Sequence, residues 1–462
     1  MKPKYFLALG LLVLGLGSCG ESFFEQYPSN NITEGNFYKT DDDFNQGVVV
    51  CYAKLKTQMS FHLTEIGYRG DENVLESMAV STQNRYDIDH FAETANNGIL
   101  NDIWNAWYNG IYRCNDVLDH MTGAKIANYD KYRGECLFLR SWWYFNLYRV
   151  FGVVPITRTV VTPAAAKLIP RCTEEEMYTL LTEDLAEAAR LLPPTPGPEK
   201  ARVANIAAYT LLAKVYLTFG KPAEAKTALE EAMKNTSYGL ESTTKKVFDV
   251  GNKMNREIIF ALYYNKTNDN GHGYWYSANT DVLADINNPT PTFKAIYDSE
   301  KDNRLPLISS YTKIKDNLFA MTKWYDTYDA TYTTQVGNDF PHLRYADVVL
   351  MYAEALAESG GSLGDALEWL NKTRTRAGLD ELTTDEVKSL AEFRRELAAE
   401  RGREFALEGH RWFDLVRLGL AVDYFREMGY SLDSHNLIFP IPQNQIEIVN
   451  NPSILWQNPG FN

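Results

Sequence analysis

Residues 203–233 read VANIAAYTLLAKVYLTFGKPAEAKTALEEAM, and this stretch predicts two helices joined by a tight turn. Apolar residues recur with helical spacing over 203–219 and again over 222–233. Gly220-Lys221 stands between the two runs, where a glycine can end one helix just before a proline opens the next. The stretch is therefore predicted to be a pair of neighbouring helices.

A second pair of the same kind is predicted over residues 344–376, where RYADVVLMYAEALAESG precedes SLGDALEWLNKTRTR. Both pairs resemble tetratricopeptide units, which have Ala and Tyr on the first helix, a tight turn, and small residues on the second helix. Similar pairing is predicted over 103–150, without the regular period of about 34 residues that this repeat usually keeps. The predicted fold class is mostly α, a tetratricopeptide-like helical repeat scaffold.

The middle of the chain breaks this pattern. Residues 240–342 contain many Asn, Asp, Gly and Tyr residues, short alternating stretches, and no long amphipathic run. They predict an irregular, loop-rich lobe containing short strands. Helical character returns over 383–427, and the tail from 435 to 462 is predicted to be extended because prolines punctuate it.

Two helix starts are predicted from their capping residues. Thr40 followed by Asp43 predicts a helix that continues to about residue 56. Thr173 followed by Glu176 forms a capping box that opens another helix.

Residues 360–364, GGSLG, match the G-x-S-x-G pattern of a nucleophile elbow. Such an elbow needs a strand before it, whereas a helix precedes these residues in the prediction. Ser362 is therefore predicted to cap the following helix, and no catalytic residue is predicted here.

The residues from 41 onward match a calcium-binding loop only in part. Asp41, Asp43 and Asn45 have the spacing of the first three ligands, but Gln46 replaces the required glycine and Tyr52 replaces the last glutamate. The seven histidines form no cluster in sequence. No metal site and no cofactor are predicted.

The first twenty residues have the signature of a bacterial lipoprotein. Lys2 and Lys4 precede an apolar run over 5–16, which is too short to span a bilayer and typical of a signal peptide. Residues 16–19, LGSC, then form a lipobox. Cys19 is the predicted lipidation site, where two or more acyl chains give stable anchoring. The alternative is an ordinary cleaved signal peptide with an incidental cysteine.

Composition excludes some classes of function. The chain has 462 residues and a net charge of −14, which is a poor match for a phosphate backbone, so no nucleic-acid partner is predicted. Neutral sugars are nearly indifferent to such a charge. The cysteines at 51, 114 and 136 lie among helical apolar residues and are predicted to be in the core, and with Cys172 they leave the disulfide state open.

Residues 393–417, FRRELAAERGREFALEGHRWFDLVR, alternate charged and apolar side chains. Two interpretations are open. The charged side chains form either a structural ladder of ion pairs between the C-terminal helices or, less favoured, a site for an anionic ligand.

Aromatic residues in the predicted lobe are the first ligand candidates. Sugar rings stack their C–H faces on flat aromatic rings, while Asn, Asp, Arg and Tyr bind the hydroxyl groups. Tyr274, Trp275 and Tyr276 follow glycines, and Trp324 and Tyr325 lie in a second polar stretch. The alternative for any one of these rings is that it fills the core.

The sequence as a whole resembles the SusD/RagB family of outer-membrane nutrient-binding lipoproteins of Bacteroidetes. The segments that carry the resemblance, together with the lipobox at Cys19, are residues 23–44, 104–118, 133–155, 344–356, 370–379, 394–419 and 438–461. The resemblance implies binding without catalysis, and a SusC-like TonB-dependent transporter as partner. Binding residues of the family lie in variable loops, which correspond here to 68–91 and to the lobe around 270–335. This adds Tyr68, Asn84, Arg85 and Tyr86 to the candidates.

The expected organisation has four parts. A lipoprotein signal peptide covers 1–18, a helical region 19–235, an aromatic-rich ligand lobe 236–343, and a second helical region with the tail 344–462. The expected function is glycan binding at the exterior of the outer membrane, with an oligosaccharide as ligand and membrane lipid holding the anchor. The alternatives are peptide binding in the same kind of uptake system and, less favoured, surface glycoside hydrolysis.

Overall fold

The computed structural model of the protein describes residues 37–58, 66, 69, 71, 83–197, 199–265, 276–277, 289–315, 318–324, 326 and 337–461. Most of these residues are helical, and a few short strands accompany them. The mostly α fold class with tetratricopeptide-like repeats is therefore confirmed. No helix in this described part of the chain is both long and apolar enough to cross a membrane.

The first half of the chain is built from helices. They are α1 (Asp41–Gln58), α2 (Gln83–Asp89), α3 (Gly98–Met121), α4 (Tyr129–Phe151), α5 (Pro163–Ala166), α6 (Glu174–Leu191), α7 (Asn205–Thr218) and α8 (Pro222–Met233).

Short helices and strands make up the lobe that follows. They are α9 (Thr244–Val247), β1 (Ile258–Leu262), β2 (Tyr276–Ser277), α10 (Pro291–Lys294), α11 (Leu305–Ser309), β3 (Tyr311–Lys315), β4 (Leu318–Met321) and β5 (Phe340–Arg344). The chain ends with α12 (Tyr345–Glu358), α13 (Leu363–Arg376), α14 (Leu390–Glu404), α15 (Arg411–Arg417), α16 (Ala421–Glu427) and α17 (Gln443–Val449).

Successive helices pack against each other in one continuous stack. Helix α3 packs on α4, α4 on α6, α6 on α7, and α7 on α8. Helix α8 then packs on α12, although the whole lobe separates them in sequence, and α12 packs on α13 and α14. The lobe is therefore an insertion in the sequence between α8 and α12, two helices that pack against each other in the stack.

Local capping explains where several helices begin. At α1, Oγ1 of Thr40 accepts from the backbone N–H of Asp43 at 3.2 Å, and the Asp43 carboxylate accepts in return from the Thr40 N–H at 2.7 Å. Thr173 and Glu176 form the predicted capping box at α6. Oγ of Ser362 accepts from the N–H of residue 365 at 3.0 Å, so the G-x-S-x-G match is a helix cap, as predicted.

Helices α3 and α4 approach each other closely because of a glycine. A Cβ atom at Gly110 would lie 2.3 Å from Cε2 of Trp143, whose ring is fully buried. The cysteines at 51, 114 and 136 are buried in the same core with free thiols. Their predicted place in the core is therefore confirmed.

Two small sheets give the lobe its framework, as predicted. Strands β1 and β5 are antiparallel, with Phe260 opposite Leu343, and every residue of both strands is buried. The second sheet has the order β2-β4-β3. Strand β5 leads directly into α12, so the β1–β5 pair connects the lobe to the helical stack.

A buried network of ion pairs joins the lobe to α13 and α14. Arg344 pairs with Glu257 at 2.7 Å, with Glu404 at 2.6 Å and with Glu408 at 2.8 Å, and none of these side chains is more than 1% exposed. Burial alone would raise the pKa of Glu404, but the guanidinium groups of Arg376, Arg344 and Arg304 hold it well below its usual range. The structure thus supports the structural interpretation of the charged residues.

One prediction about the C-terminal part is confirmed and one was wrong. The stretch 383–427 is largely helical, as predicted, and is divided into α14, α15 and α16, with positive φ angles at Leu407, Gly409 and Gly419 at the breaks. The tail is not fully extended, since α17 begins directly after Pro442. A proline is tolerated at a helix start, so prolines in the tail did not exclude a helix.

Candidate ligand-binding site

Arg69 fixes the chain ahead of α2. Its side chain is fully buried, and its guanidinium carbon lies 4.3 Å, 4.7 Å and 4.4 Å from the ring centroids of Phe91, Trp412 and Phe439. Nη2 of Arg69 donates to Oε1 of Glu93 at 2.5 Å. The aromatic faces and the carboxylate together stabilise a cation that would otherwise be costly to bury.

Asp71 makes a second anchor two residues later. Its Oδ2 accepts from Nε of Arg411 at 3.0 Å and from the Tyr424 hydroxyl at 2.9 Å. Burial, together with this carboxylate, raises the pKa of Tyr424. The backbone N–H of Thr290 donates to the Asp71 carbonyl oxygen at 3.4 Å. The predicted ligand region 68–91 is therefore tied both to the lobe and to the C-terminal helices.

Helix α2 carries the predicted candidates of this region on a short, accessible element. Asn84 is exposed, and Arg85 and Tyr86 are half-buried. The Tyr86 ring stacks on His90, with the ring centroids 3.9 Å apart and the planes inclined by 14°. The two residues are four apart in sequence, which places them on one face of the helix. They form a half-buried stacked pair in which each ring covers one face of the other.

Tyr430 adds a third ring near the end of α2. It is half-buried, and its centroid lies 5.1 Å from that of Phe91 in an edge-on contact. Burial raises the pKa of Tyr430, and the charges of Asp89 and Asp71 raise it further. Together, Asn84, Arg85, Tyr86, His90 and Tyr430 define what we call the α2 face.

The chemistry of the α2 face suits a neutral polar ligand with apolar patches. The Tyr86–His90 pair offers a ring surface, and an amide and a guanidinium lie on the same helix to bind hydroxyl groups. Within the described residues, no three side chains of His, Cys, Asp or Glu come together as a metal-binding group.

Trp324 does not lie where a ligand can reach it. Its side chain is 0% exposed, its ring stacks on Phe340 with centroids 5.5 Å apart, and it meets Phe248 edge-on at 5.0 Å. The ring therefore fills the core of the lobe, which was the alternative interpretation from sequence. Trp324 is removed from the candidate site for this reason.

Several predicted residues lie outside the description. Cys19, Tyr68, Tyr274, Trp275 and Tyr325 are not among the described residues, and Tyr276 is described only as part of β2. Their predicted roles stay predictions.

Tyr430 was not among the residues predicted from sequence for this region. Tyr430 follows Gly429, whose φ of 95° lies at the end of α16. An apolar residue just after such a helix end frequently packs against the helix, so this position can be recognised from sequence. Its proximity to α2 depends on a tertiary contact across more than 300 residues and has no local signature.

Comparisons with known proteins agree with this fold. The family model described as SusD family matches residues 302–461, and the one described as starch-binding associating with outer membrane matches residues 29–217. SusD-like protein P2 of Formosa agariphila is 25% identical to this chain, over 99% of the chain and 100% of that protein.

Solved structures with the same fold include two relatives of low sequence identity. A SusD superfamily protein from Bacteroides vulgatus has a TM-score of 0.77 at 24% identity, covering 92% of this chain and 100% of its own. A laminarin-binding SusD-like protein has a TM-score of 0.74 at 23% identity, covering 92% of this chain and 100% of its own.

Proposed function

Because the chain belongs to the SusD/RagB family, we propose that it is a cell-surface lipoprotein that binds an oligosaccharide and delivers it to a SusC-like TonB-dependent transporter. The matched family models support this proposal. One of them is described as starch-binding associating with outer membrane. The relative described as laminarin-binding has the same fold over nearly the whole chain. Binding without turnover is the proposed activity.

The α2 face is the proposed glycan-binding site, and the stacked pair of Tyr86 and His90 is the observation that carries it. Because the two rings are stacked on each other, an outer face of the pair is the proposed apolar platform on which a sugar ring stacks. Asn84 and Arg85 lie on the same helix and would provide hydrogen-bond donors for the hydroxyl groups. The anchors at Arg69 and Asp71 hold the preceding chain in place, so the platform needs little reorganisation when ligand binds.

The predicted candidates outside the described residues stay in the proposal. Trp275 and its neighbours Tyr274 and Tyr276, with Tyr325, would extend the platform from the lobe. Tyr68 lies next to the Arg69 anchor in sequence and would contribute from the α2 side. Thr290 of the lobe contacts Asp71, which precedes α2 in the chain, and this contact supports a site shared by the lobe and the α2 face.

The proposed location is the outer leaflet of the outer membrane, with the chain held there by acylated Cys19. The lipobox supports this assignment, and the description of the matched family model agrees with it. Labelling cells with a radioactive fatty acid tests the anchor. We expect the wild-type protein to incorporate label and the Cys19→Ala variant to incorporate none.

Calorimetric titration of the chain without residues 1–19 tests the activity. The ligands are plant, host and microbial oligosaccharides, with mixed peptides in a parallel series. We expect saturable binding to one class of sugar and no release of smaller sugars during incubation. Binding to peptides alone would replace the oligosaccharide with a peptide ligand, and release of smaller sugars would establish glycoside hydrolysis instead.

Delivery to a transporter needs its own test in the producing cell. We expect the protein to co-purify with a large outer-membrane transporter after mild detergent extraction. Loss of the protein should slow uptake of the glycan that it binds. Normal uptake at limiting glycan concentration without the protein would contradict the delivery role.

A further inference from the structure

An apolar groove runs along α3, and none of its lining residues belongs to the α2 face. Its volume is about 380 Å³. Residues at 104, 108 and 112 belong to one face of α3, because they are four apart in sequence. The residues that shape the groove include Trp104, Tyr108, Tyr112, Ile169, Ile448 and Leu455.

Two large exposed apolar side chains line this groove, out of eight that are strongly exposed in the described part of the chain. Tyr112 and Ile448 line the groove and are 38% and 51% exposed. Val160, Leu168 and Trp456 are next in sequence to lining residues. An exposed apolar surface of this kind marks a binding site for another apolar surface.

Two polar groups in the groove already have partners. The Tyr108 hydroxyl donates to the Pro155 carbonyl oxygen at 2.7 Å, and the Asn115 amide donates to the Thr157 carbonyl oxygen at 3.1 Å. The remaining walls are largely aliphatic. A sugar would find few free donors and acceptors here, whereas apolar side chains of a peptide segment fit such a surface.

The described chain begins beside this groove. The Tyr38 hydroxyl donates to Oδ2 of Asp116 at 2.8 Å, and the Tyr38 ring stacks on His120 with centroids 4.4 Å apart. Asp116 is one helical turn from Tyr112, about 6 Å along the axis of α3. Residues that precede Tyr38 therefore start close to one end of the groove.

We propose that the groove binds the segment of residues 20–36 of the same chain, GESFFEQYPSNNITEGN, mainly through Phe23 and Phe24. The segment carries aromatic side chains that can cover the exposed apolar side chains of the groove. It also has three glutamates and no lysine or arginine, which complements Lys167 at the groove.

The length of the segment is sufficient for this contact. Phe37 is fourteen positions after Phe23, and an extended chain of that length reaches about 46 Å. The groove extends along α3 from Asn115 to Trp104, about 17 Å of helix.

The contact would also orient the protein on the membrane. Cys19 lies four residues before Phe23, so the anchor would leave the body within about 13 Å of the groove. This consequence rests on the lipid anchor of the proposed function, whereas the docking of the segment does not. The face that carries α3 would then turn toward the outer leaflet.

Disulfide trapping in the full chain tests the docking directly. Ser22→Cys is combined with Lys167→Cys at the groove or, as the control, with Lys125→Cys in the loop after α3. Both lysines are exposed, and Lys167 lines the groove, whereas Lys125 follows the C-terminal end of α3 and does not line it. Neither substitution removes an apolar residue of the segment or of the groove.

We expect the 22–167 pair to give at least ten times more intramolecular disulfide than the 22–125 pair after mild oxidation. Peptide mapping by mass spectrometry identifies the linked residues. Equal yields of the two pairs, or a disulfide between two chains, would overturn the proposal. Either result leaves glycan binding untouched, so the two proposals fail separately.

Hydrogen exchange of the full chain provides a second measurement. Replacing Phe23 and Phe24 by serine should increase exchange in residues 443–456, and exchange in residues 222–233 should stay unchanged. Unchanged exchange at the groove in this variant would also overturn the proposal.

Discussion

Oδ2 of Asp71 accepts a hydrogen bond from Nε of Arg411 at 3.0 Å, although 340 residues separate the two in sequence. The side chains are 0% and 3% exposed, so the ion pair is buried. This contact joins the chain ahead of α2 to α15. The proposed ligand-binding surface is therefore supported by the core of the C-terminal helices.

Breaking this pair is predicted to destabilise the protein strongly. Asp71→Asn leaves the Arg411 guanidinium buried without its counter-charge, which typically costs about 3–5 kcal/mol. Urea unfolding measures the loss. The control is Asp423→Asn in the exposed pair with Arg426, and we expect a change within about 1 kcal/mol there. Equal effects of the two substitutions would contradict the structural role of Asp71.

A buried histidine is predicted to make stability depend on pH. His342 is 2% exposed, neither ring nitrogen has a hydrogen-bond partner among the described residues, and burial lowers its pKa to about 3. The unfolded chain binds a proton near pH 6.5 and the folded chain does not, so stability is lost as pH falls from about 6.5 toward 3. Between pH 8 and pH 5 this amounts to about 2 kcal/mol.

His342→Leu removes that dependence. We expect the unfolding free energy of this variant, relative to the wild type, to rise by about 2 kcal/mol between pH 8 and pH 5. The neighbouring substitution Phe340→Leu alters the same core without a titratable group, and its cost should be the same at both pH values. A His342→Leu difference that does not change with pH would contradict the prediction.

The close contact of α3 and α4 predicts a cost for a single methyl group. Gly110→Ala would place a Cβ atom 2.3 Å from the buried Trp143 ring, so the helices must move apart. We expect a loss of about 1–3 kcal/mol in urea unfolding, as for other overpacked cores. The control is Gly364→Ala in α13, where the nearest atom is 3.6 Å away and alanine should cost nothing.

Trp324 and Tyr86 are predicted to respond in opposite ways to truncation. Trp324→Ala removes a fully buried ring, so it should cost about 3–5 kcal/mol of stability. Sugar affinity of the variant that remains folded should stay within about two-fold, because the ring offers no face to ligand. Tyr86→Ala should weaken binding and leave stability nearly unchanged. A large, specific loss of affinity in Trp324→Ala at low temperature would return that residue to the site.

The helical stack was accessible from sequence because its signals are local. Thr40, Thr173 and Ser362 each cap a helix through a residue three positions later, and the helix pairs keep their apolar spacing. A reader of sequence alone can find such features without any tertiary information.

The site was less accessible because its supports are distant contacts. Arg69 is enclosed by rings from residues 91, 412 and 439, and no spacing in the sequence predicts that arrangement. Trp324 has polar neighbours in sequence but apolar neighbours in space, so its local context indicated exposure that the fold does not give. The groove on α3 shows only a spacing of four between aromatic residues, which a core helix shares.

Calorimetry on two tyrosine variants tests whether the α2 face binds the glycan, because it compares their sugar affinities. Tyr86→Ala removes a ring of the α2 face, and Tyr178→Ala removes a half-buried tyrosine of α6 in the helical stack. With the oligosaccharide that the wild type binds best, we expect Tyr86→Ala to weaken binding about ten-fold, which corresponds to about 1.4 kcal/mol, and Tyr178→Ala to bind like the wild type. Wild-type affinity in the Tyr86→Ala variant, measured on folded protein, would contradict the assignment of glycan binding to the α2 face.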